Sequence, residues 1–503
     1  MSFRKVETRS MEQFKNYING AWVAAASGKT FQNLNPADQR DVIGEFPESD
    51  AADIDAAVKA CKAAERAWML MPAPKRGDIL RKAGDIFSRR KAELSRIMTR
   101  EMGKPTFETA GDVQEAIDTC YYAATEGRRL FGYNTPSEME NKMNMSFRMP
   151  IGVCGIITAW NFPIAVPSWK IIPALLCGNT VVFKPSDDSP HSANIFAEIL
   201  EEAGVPAGVF NVVHGKGASG AALVEHPDVK LIGFTGSTDT GKKIAAKCGE
   251  MNKKCSLEMG GKNALAVMED ADQELALEGV LWGAFGTTGQ RCTATSRLIV
   301  HKDIYEEFTN KLITKASKLR LGPGLEEDTQ VGPVINERQL DKIEKYIAIG
   351  REQGAKLALG GGRDDGPKLG MGLFVKPTIF LDVTPSMRIF REEIFGPVLA
   401  VTKAESFDHA IELINDCAYG LSSSVFTSDV NRAFRAIRDI EAGITYINAP
   451  TIGAEAHMPF GGVKGTGNGH REGGWTAFDI FTEWKSVYVD FSSKLQRAQI
   501  DNY

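Results

Sequence analysis

The sequence predicts an α/β protein built from two successive α/β units and a smaller β-rich arm. Three observations carry that prediction. From residue 150 onward, short apolar runs alternate with helical segments, the rhythm of parallel strands joined by helices. The runs are continuous rather than alternating, as in GVCGIITAW (152–160), NTVVFKP (179–185) and VKLIGFTG (229–236), which suits strands covered on both faces. The third is size: 503 residues, 43% hydrophobic and 24% charged, can fill more than one buried core.

Along the chain, residues 17–23 (YINGAWV) read as strand, turn and strand, with Asn19-Gly20 at the turn. Residues 51–68 carry apolar positions at helical spacing behind Asp50, an N-cap residue. Two further helices are expected near 75–102 and 105–130. The polar stretch from Tyr133 to Met149 contains the alternating MNMSFRM and reads as a strand on an exposed arm. The first α/β series then adds GVFNVVHG (208–215), with helices from about 167, at 190–203 and from Thr240. A second series starts near 260 with NALAVM, SRLIVH, GLFVKPTIF, VLAVTKA, SSSVFT and ITYIN, and with helices at 272–288 and 303–319. FTEWKSVYVDFSSK (481–494) reads as another β-rich arm. Neither arm can bury its own faces, so a homo-oligomer, dimer or tetramer, is expected.

Charge and cysteine usage narrow the function. A net charge of −5 argues against a nucleic-acid partner. No apolar stretch reaches the length of a membrane span, and the N-terminal segment lacks the apolar core of a secretory leader. Eight cysteines are scattered without CxxC spacing, so no zinc site, metal or disulfide framework is expected, and the expected compartment is a reducing cytoplasm. The 49 glycines point to many tight turns and close backbone approaches.

Five short segments carry residues suited to chemistry. Cys292 follows Gly289-Gln290-Arg291 on a turn with small polar flanks. It reads either as a buried structural thiol or as a nucleophile beside a cation. Glu258 lies between Leu257 and Met259 ahead of Gly260-Gly261. It is either a strand-end surface carboxylate or a general base whose pKa burial raises. Asn161 ends a buried-strand pattern. It is either a helix N-cap or an amide donor to a developing oxyanion. Lys184 and Asp187, three residues apart at a strand end, suit a ribose diol or a solvated turn. The turn around Gly236 and Ser237 sits between strand and helix, where backbone N–H groups can face a pyrophosphate.

Together and in this order, these segments resemble the NAD(P)-dependent aldehyde dehydrogenase superfamily. The matching motifs are TAWNFP (158–163), FKPS (183–186), FTGST (234–238), LEMGGKN (257–263), GQRCTATSR (289–297), EEIFGPV (392–398) and PFGGVKGTGNGHREGG (459–474). The resemblance implies a Rossmann-like NAD-binding domain (1–126 and 149–259), a catalytic domain (260–470) and an oligomerisation arm (127–148 and 471–503). It implies that Cys292 attacks the aldehyde to form a thiohemiacetal, with Asn161 stabilising the oxyanion. Hydride then passes to the nicotinamide, and Glu258 activates the water that hydrolyses the thioester. A base at this position favours hydrolysis over acyl transfer to coenzyme A. On the cofactor side the resemblance places Trp160, Lys184, Ser186, Asp187, Gly236, Ser237, Gly260, Glu393 and Phe395. NAD is the expected cofactor; Asp187, one methylene shorter than the glutamate usual there, leaves NADP open.

For the aldehyde itself, the resemblance implies a pocket of Phe162, Val166, Trp169, Arg291, Thr293, His457 and Phe460. Arg291 is expected either to grip the far anion of an acidic semialdehyde or to point away and pair with a structural carboxylate, while the apolar members suit an aliphatic chain. A second arginine common in such enzymes aligns with Gln114. Amino-aldehydes rank last, because no acidic anchor clusters at these positions. The different-class alternative is a non-catalytic structural or binding protein on the same fold.

Overall fold

The computed structural model describes residues 11–500. Its frame is two seven-stranded sheets. The first contains β1 (Asn16–Ile18), β2 (Ala21–Val23), β3 (Val153–Ile157), β4 (Thr180–Lys184), β5 (Phe210–Val212), β6 (Val229–Thr235) and β7 (Lys254–Glu258). Their spatial order is β7–β6–β3–β4–β5–β1–β2. The first five are parallel, and the β1–β2 hairpin closes the edge antiparallel to β5. Asn19 (φ 53°) and Gly20 (φ 76°) both lie in the left-handed region, so the Asn-Gly pair makes the tight turn that its chemistry favours.

The second sheet contains β8 (Asn263–Val267), β9 (Thr295–His301), β10 (Lys356–Leu359), β11 (Thr378–Leu381), β12 (Val398–Ala404), β13 (Ser422–Phe426) and β14 (Ile444–Ile447). Its order is β10–β11–β12–β9–β8–β13–β14, parallel except for β10. Apolar clusters cover both faces of each sheet, which is why the strand sequences are continuous apolar runs. Only Met259 to Lys262 separate the two sheets, so the chain crosses between them at the LEMGGKN segment.

Helix α1 (Ala51–Leu70) begins as expected. The Asp50 side chain accepts from Ala52 N, and the Asp53 side chain accepts from the Asp50 backbone. The single helix expected near 75–102 is two, Ala73–Arg89 and Lys91–Met102. No glycine or proline marks the break; Arg90 leaves helical geometry and binds Glu93 and Glu198. Next comes α2 (Thr106–Glu126), whose inner face reaches the junction of the sheets.

The two arms pair with each other. Lys142–Pro150 runs antiparallel to Thr482–Asp490, and Asn134–Pro136 adds a third strand. Trp484, Tyr488 and Phe491 remain exposed on this ribbon. Across the molecule, the helix Val430–Asp439 also turns an apolar stripe outward: Val430, Phe434 and Ile437 are each more than half exposed.

Candidate active site

The loop that carries Cys292 is held in an uncommon shape. It follows the helix Gln273–Phe285 and passes through a short turn at Gly286–Gly289, where Thr287 (φ 52°) and Thr288 (φ 57°) are left-handed. β-Branched residues adopt that conformation only where neighbours enforce it. Fully buried Glu108, on α2, accepts from Thr287 N (2.9 Å), from the Thr287 hydroxyl and from Arg291 Nη2 (2.7 Å). Gln290 donates to Pro333 O (3.3 Å) and accepts from Ile335 N (3.0 Å). Asn263 donates to Cys292 O (2.7 Å) and Ala294 O (2.9 Å). Gly261 faces the same carbonyl; a Cβ there would lie 2.5 Å from Cys292 O.

Asn161 follows β3, at the carboxyl end of the first sheet, where open α/β sheets place ligands. Its Nδ2 donates to Gln290 O (3.1 Å), which aligns the amide with the cysteine loop and leaves its second N–H uncommitted. It is not a helix cap: that position before Ala165–Leu176 (α3) belongs to Ile164. A buried pair holds the Asn161 backbone. Lys104 Nζ donates to Asn161 O (3.0 Å) and to Asp112 (2.6 Å), and Asp112 also accepts from Ala165 N (2.7 Å).

Glu258, the last residue of β7, is 4% exposed rather than a surface residue. Neither carboxyl oxygen has a hydrogen-bond partner among the described residues. Burial pushes its pKa up to about 8, against the pull of Lys170 and Arg471. Burial, with Glu258 and Glu393 adding like charge, pushes the Cys292 thiol up to about 12. Buried Lys170, on α3, forms an ion pair with buried Glu472.

Of the residues expected around the aldehyde, Phe162, Val166, Trp169, Arg291, Thr293 and Phe460 line one cavity with Cys292 and Glu258. Trp169 and Phe460 pack with centroids 4.7 Å apart. Arg291 and Gln114 do not form a two-residue clamp, and the expectation for His457 needs correction. Arg291 lines the cavity, but its charge is met by Glu108, its Nε donates to Thr287 (2.9 Å) and its plane lies over Trp282. It thus braces the cysteine loop while lining the cavity. Gln114 faces away and binds Lys91 and Asp118, because it sits on the other side of α2 from the cavity. His457 is largely exposed beside Glu455, and Ile452, Gly453 and Ala454 form that wall instead. The cavity also holds two carboxyl residues that the sequence reading missed, Glu115 and Glu472. Glu115 lies three positions after Asp112 and seven after Glu108. The helical phase signals a shared face, but only the fold shows what that face meets.

On the cofactor side, the residues gather beyond the carboxyl ends of the adjacent strands β6, β3 and β4. Ser237 caps the helix Thr238–Glu250, and Gly236 N donates to Glu258 O (3.0 Å). Lys184 ends β4; burial lowers its pKa, opposed by Asp187 and Asp188. Both Asp187 and Asp188 are partly exposed; Asp188 is engaged by Asn336 (3.0 Å), which leaves Asp187 the carboxylate there without a side-chain hydrogen bond among the described residues. The Ser186 hydroxyl accepts from Asp188 N (3.2 Å) and shapes that turn. Glu393 accepts from Gly261 N (2.8 Å) and lies against Gly260, where a Cβ would come within 2.5 Å of its carboxylate. Trp160 and Phe395 meet edge to face at 5.5 Å. A buried lysine, a neighbouring carboxylate and a helix N-terminus at one crevice suit a dinucleotide.

A thiol, an oriented amide and an unpartnered carboxyl at the junction of the two sheets, beside a crevice suited to a dinucleotide, suit an oxidoreductase acting on the aldehyde group. The chain belongs to the aldehyde dehydrogenase family, whose model matches residues 22–487. It is 43% identical over 477 residues to the alpha-ketoglutaric semialdehyde dehydrogenase of Bacillus subtilis, covering 95% of this chain and 98% of that one. It is 42% identical to the alpha-ketoglutarate semialdehyde dehydrogenase of Haloferax volcanii, covering 95% and 99%. Among solved structures it resembles an E. coli NADP-dependent enzyme, with a TM-score of 0.92 and 37% identity over 95% of this chain and 98% of that one. Among the described residues, no three His, Cys, Asp or Glu side chains gather as a metal site. No described helix is long and apolar enough to cross a membrane.

Proposed function

We propose that this chain oxidises an acidic semialdehyde, of the 2-oxoglutaric type, to the corresponding dicarboxylic acid, with NAD as the preferred acceptor. The relatives' substrates support the acid; the carboxylate of Asp187 supports NAD, because it repels a 2′-phosphate. Lys184 and Asp187 hold the adenosine ribose. Gly236, Ser237 and the helix start behind them hold the pyrophosphate. Glu393 holds the second ribose, with Trp160, Ser186, Gly260 and Phe395 shaping the crevice. When bound, the nicotinamide accepts the hydride.

The chain's own residues do the rest. Cys292 Sγ bonds to the carbonyl carbon and loses its proton, with Glu258 the nearby carboxyl able to take it. The free N–H of Asn161 and the backbone N–H of Cys292 stabilise the oxyanion. After hydride departure the carbon is a thioester. Glu258, having passed the first proton to solvent, takes a proton from water, the water oxygen bonds to that carbon, the C–S bond breaks, and the leaving thiolate takes the proton back from Glu258, returning the thiol. Glu258 stands buried and unpartnered beside Cys292, and this one observation carries the hydrolytic reading.

The domain division follows the same reading: residues 1–126 with 149–259 bind the dinucleotide, 260–470 supply the thiol, and 127–148 with 471–503 form the arm. The exposed ribbon and the outward stripe on Val430–Asp439 support a homo-oligomer. Eight free cysteines support a reducing compartment, the cytoplasm. The test is kcat/KM for 2-oxoglutaric and succinic semialdehydes beside pentanal, each with NAD and NADP. Preference for pentanal would defeat the substrate assignment, and tenfold better use of NADP would defeat the cofactor assignment.

A further inference from the structure

The aldehyde cavity contains a carboxyl group that the mechanism above does not use. Glu115 projects from α2 into the wall shared with Arg291, Trp169 and Cys292. No hydrogen bond steadies its carboxyl among the described residues; its neighbours act on it through charge alone. On its own helix, Asp112 and Asp118 add like charge. Lys104, ahead of the helix, and Arg291, across the cavity, oppose them. Tyr446, on β14, feels both Glu115 and Cys292, which sets the carboxyl and the thiol around one space. Arg291 spends Nη2 on Glu108 and Nε on Thr287, leaving Nη1 without an acceptor among the described residues.

We propose that Glu115 is a specificity-determining residue that, while it keeps its proton, donates O–H to the far carboxylate of the substrate beside Arg291 Nη1. The proposal rests on the acidic-semialdehyde reading. The chemistry is directional. A protonated carboxyl donates a short, charge-assisted hydrogen bond to a carboxylate, whereas an ionised one confronts it with like charge in a desolvated wall. Burial pushes Glu115 up to about 8, so the donor form prevails at neutral pH and is lost above it. The site thus accepts an anion although its arginine is already paired.

The experiment is KM for 2-oxoglutaric semialdehyde and for pentanal from about pH 6.5 to about pH 9.5, in the wild type and in Glu115→Gln. Pentanal lacks the far carboxylate and reports any titration of Cys292 or Glu258. The expected result is a KM for the acid that climbs about tenfold per pH unit above about 8, a level KM for pentanal, and a level KM for the acid in Glu115→Gln. A level KM for the acid in the wild type overturns the proposal, as does a climb that persists in the variant. A level wild-type profile overturns the proposal even if the variant does not fold. Preference for pentanal at every pH sinks the semialdehyde reading and this proposal together. Preference for the acid with a level KM sinks only the role of Glu115.

Discussion

Replacing Glu258 by Gln should make the protein more stable while nearly stopping its turnover. The carboxyl is 4% exposed, and both oxygens lack partners. Its pKa rises from 4.5 to about 8 on folding. Between those values the folded chain keeps a proton that the unfolded chain releases, so stability falls as pH rises, by about 1.4 kcal/mol per unit. Above about pH 8 the fall levels off, at a total cost of between about 4 and 5 kcal/mol. Gln fills the same space and does not ionise, so the variant escapes the slope. Unfolding entropy for a chain of this length puts the gain at roughly four to five degrees in Tm above pH 8, shrinking to near zero by about pH 5. Kinetically, the variant should give one burst of reduced cofactor per site and then a rate reduced by at least about a hundredfold, because thioester hydrolysis lacks its base. Differential scanning across pH and a stopped-flow trace at 340 nm read both effects. Melting curves that stay parallel from about pH 5 to about pH 9 would refute the buried-carboxyl reasoning. Undiminished steady turnover would remove Glu258 from the mechanism.

Other expectations follow from the same site. Asn161→Ala should lower kcat by about a hundred- to a thousandfold, the cost of one oxyanion donor, with little change in NAD affinity; unchanged kcat would discard that role. In the cofactor-free enzyme at neutral pH, iodoacetamide followed by peptide mass mapping should find Cys255, whose thiol the hydrogen bond from Cys248 draws downward, labelled ahead of Cys292, whose thiol burial pushes up. Labelling of Cys292 should then climb about tenfold per pH unit through about pH 10; an early plateau would contradict its raised pKa. Asp187→Ser should raise the NADP-to-NAD ratio of kcat/KM by at least about tenfold, and an unmoved ratio would free Asp187 of cofactor choice. Phe434→Asp, on the exposed helical stripe, should reduce the particle mass seen by light scattering; a monomeric wild type would dismiss the oligomer outright.

Sequence carried the frame because its signals are local. Asn19-Gly20, the Asp50 cap and the continuous apolar runs each follow from interactions within a few residues, and each element lies where expected. Cys292, Asn161 and Glu258 were legible as candidates because thiol, amide and carboxyl sit in motifs of their own. What escaped depends on distant partners. Which of its two readings Arg291 follows turns on Glu108, 183 residues earlier, which the sequence does not place beside it. Gln114 and Glu115 are adjacent in sequence, yet one helical step turns one to the surface and the other into the cavity. His457 shares a segment with true wall residues but points outward from an irregular loop, where no periodicity fixes direction.

The surroundings of Glu258 have a consequence for synthesis. Gly461, with φ +146°, leaves room for the carboxylate, since a Cβ there would lie 2.8 Å from Oε1, and Gly467 pairs with Glu258 across an isolated bridge. That wall is translated long after the thiol. At ordinary elongation rates, roughly 9 to 35 s pass between Cys292 and Gly467. Until those glycines are made, the strand end that carries Glu258 lacks the backbone that packs against its carboxyl, so the base acquires its buried setting only when the chain is nearly complete.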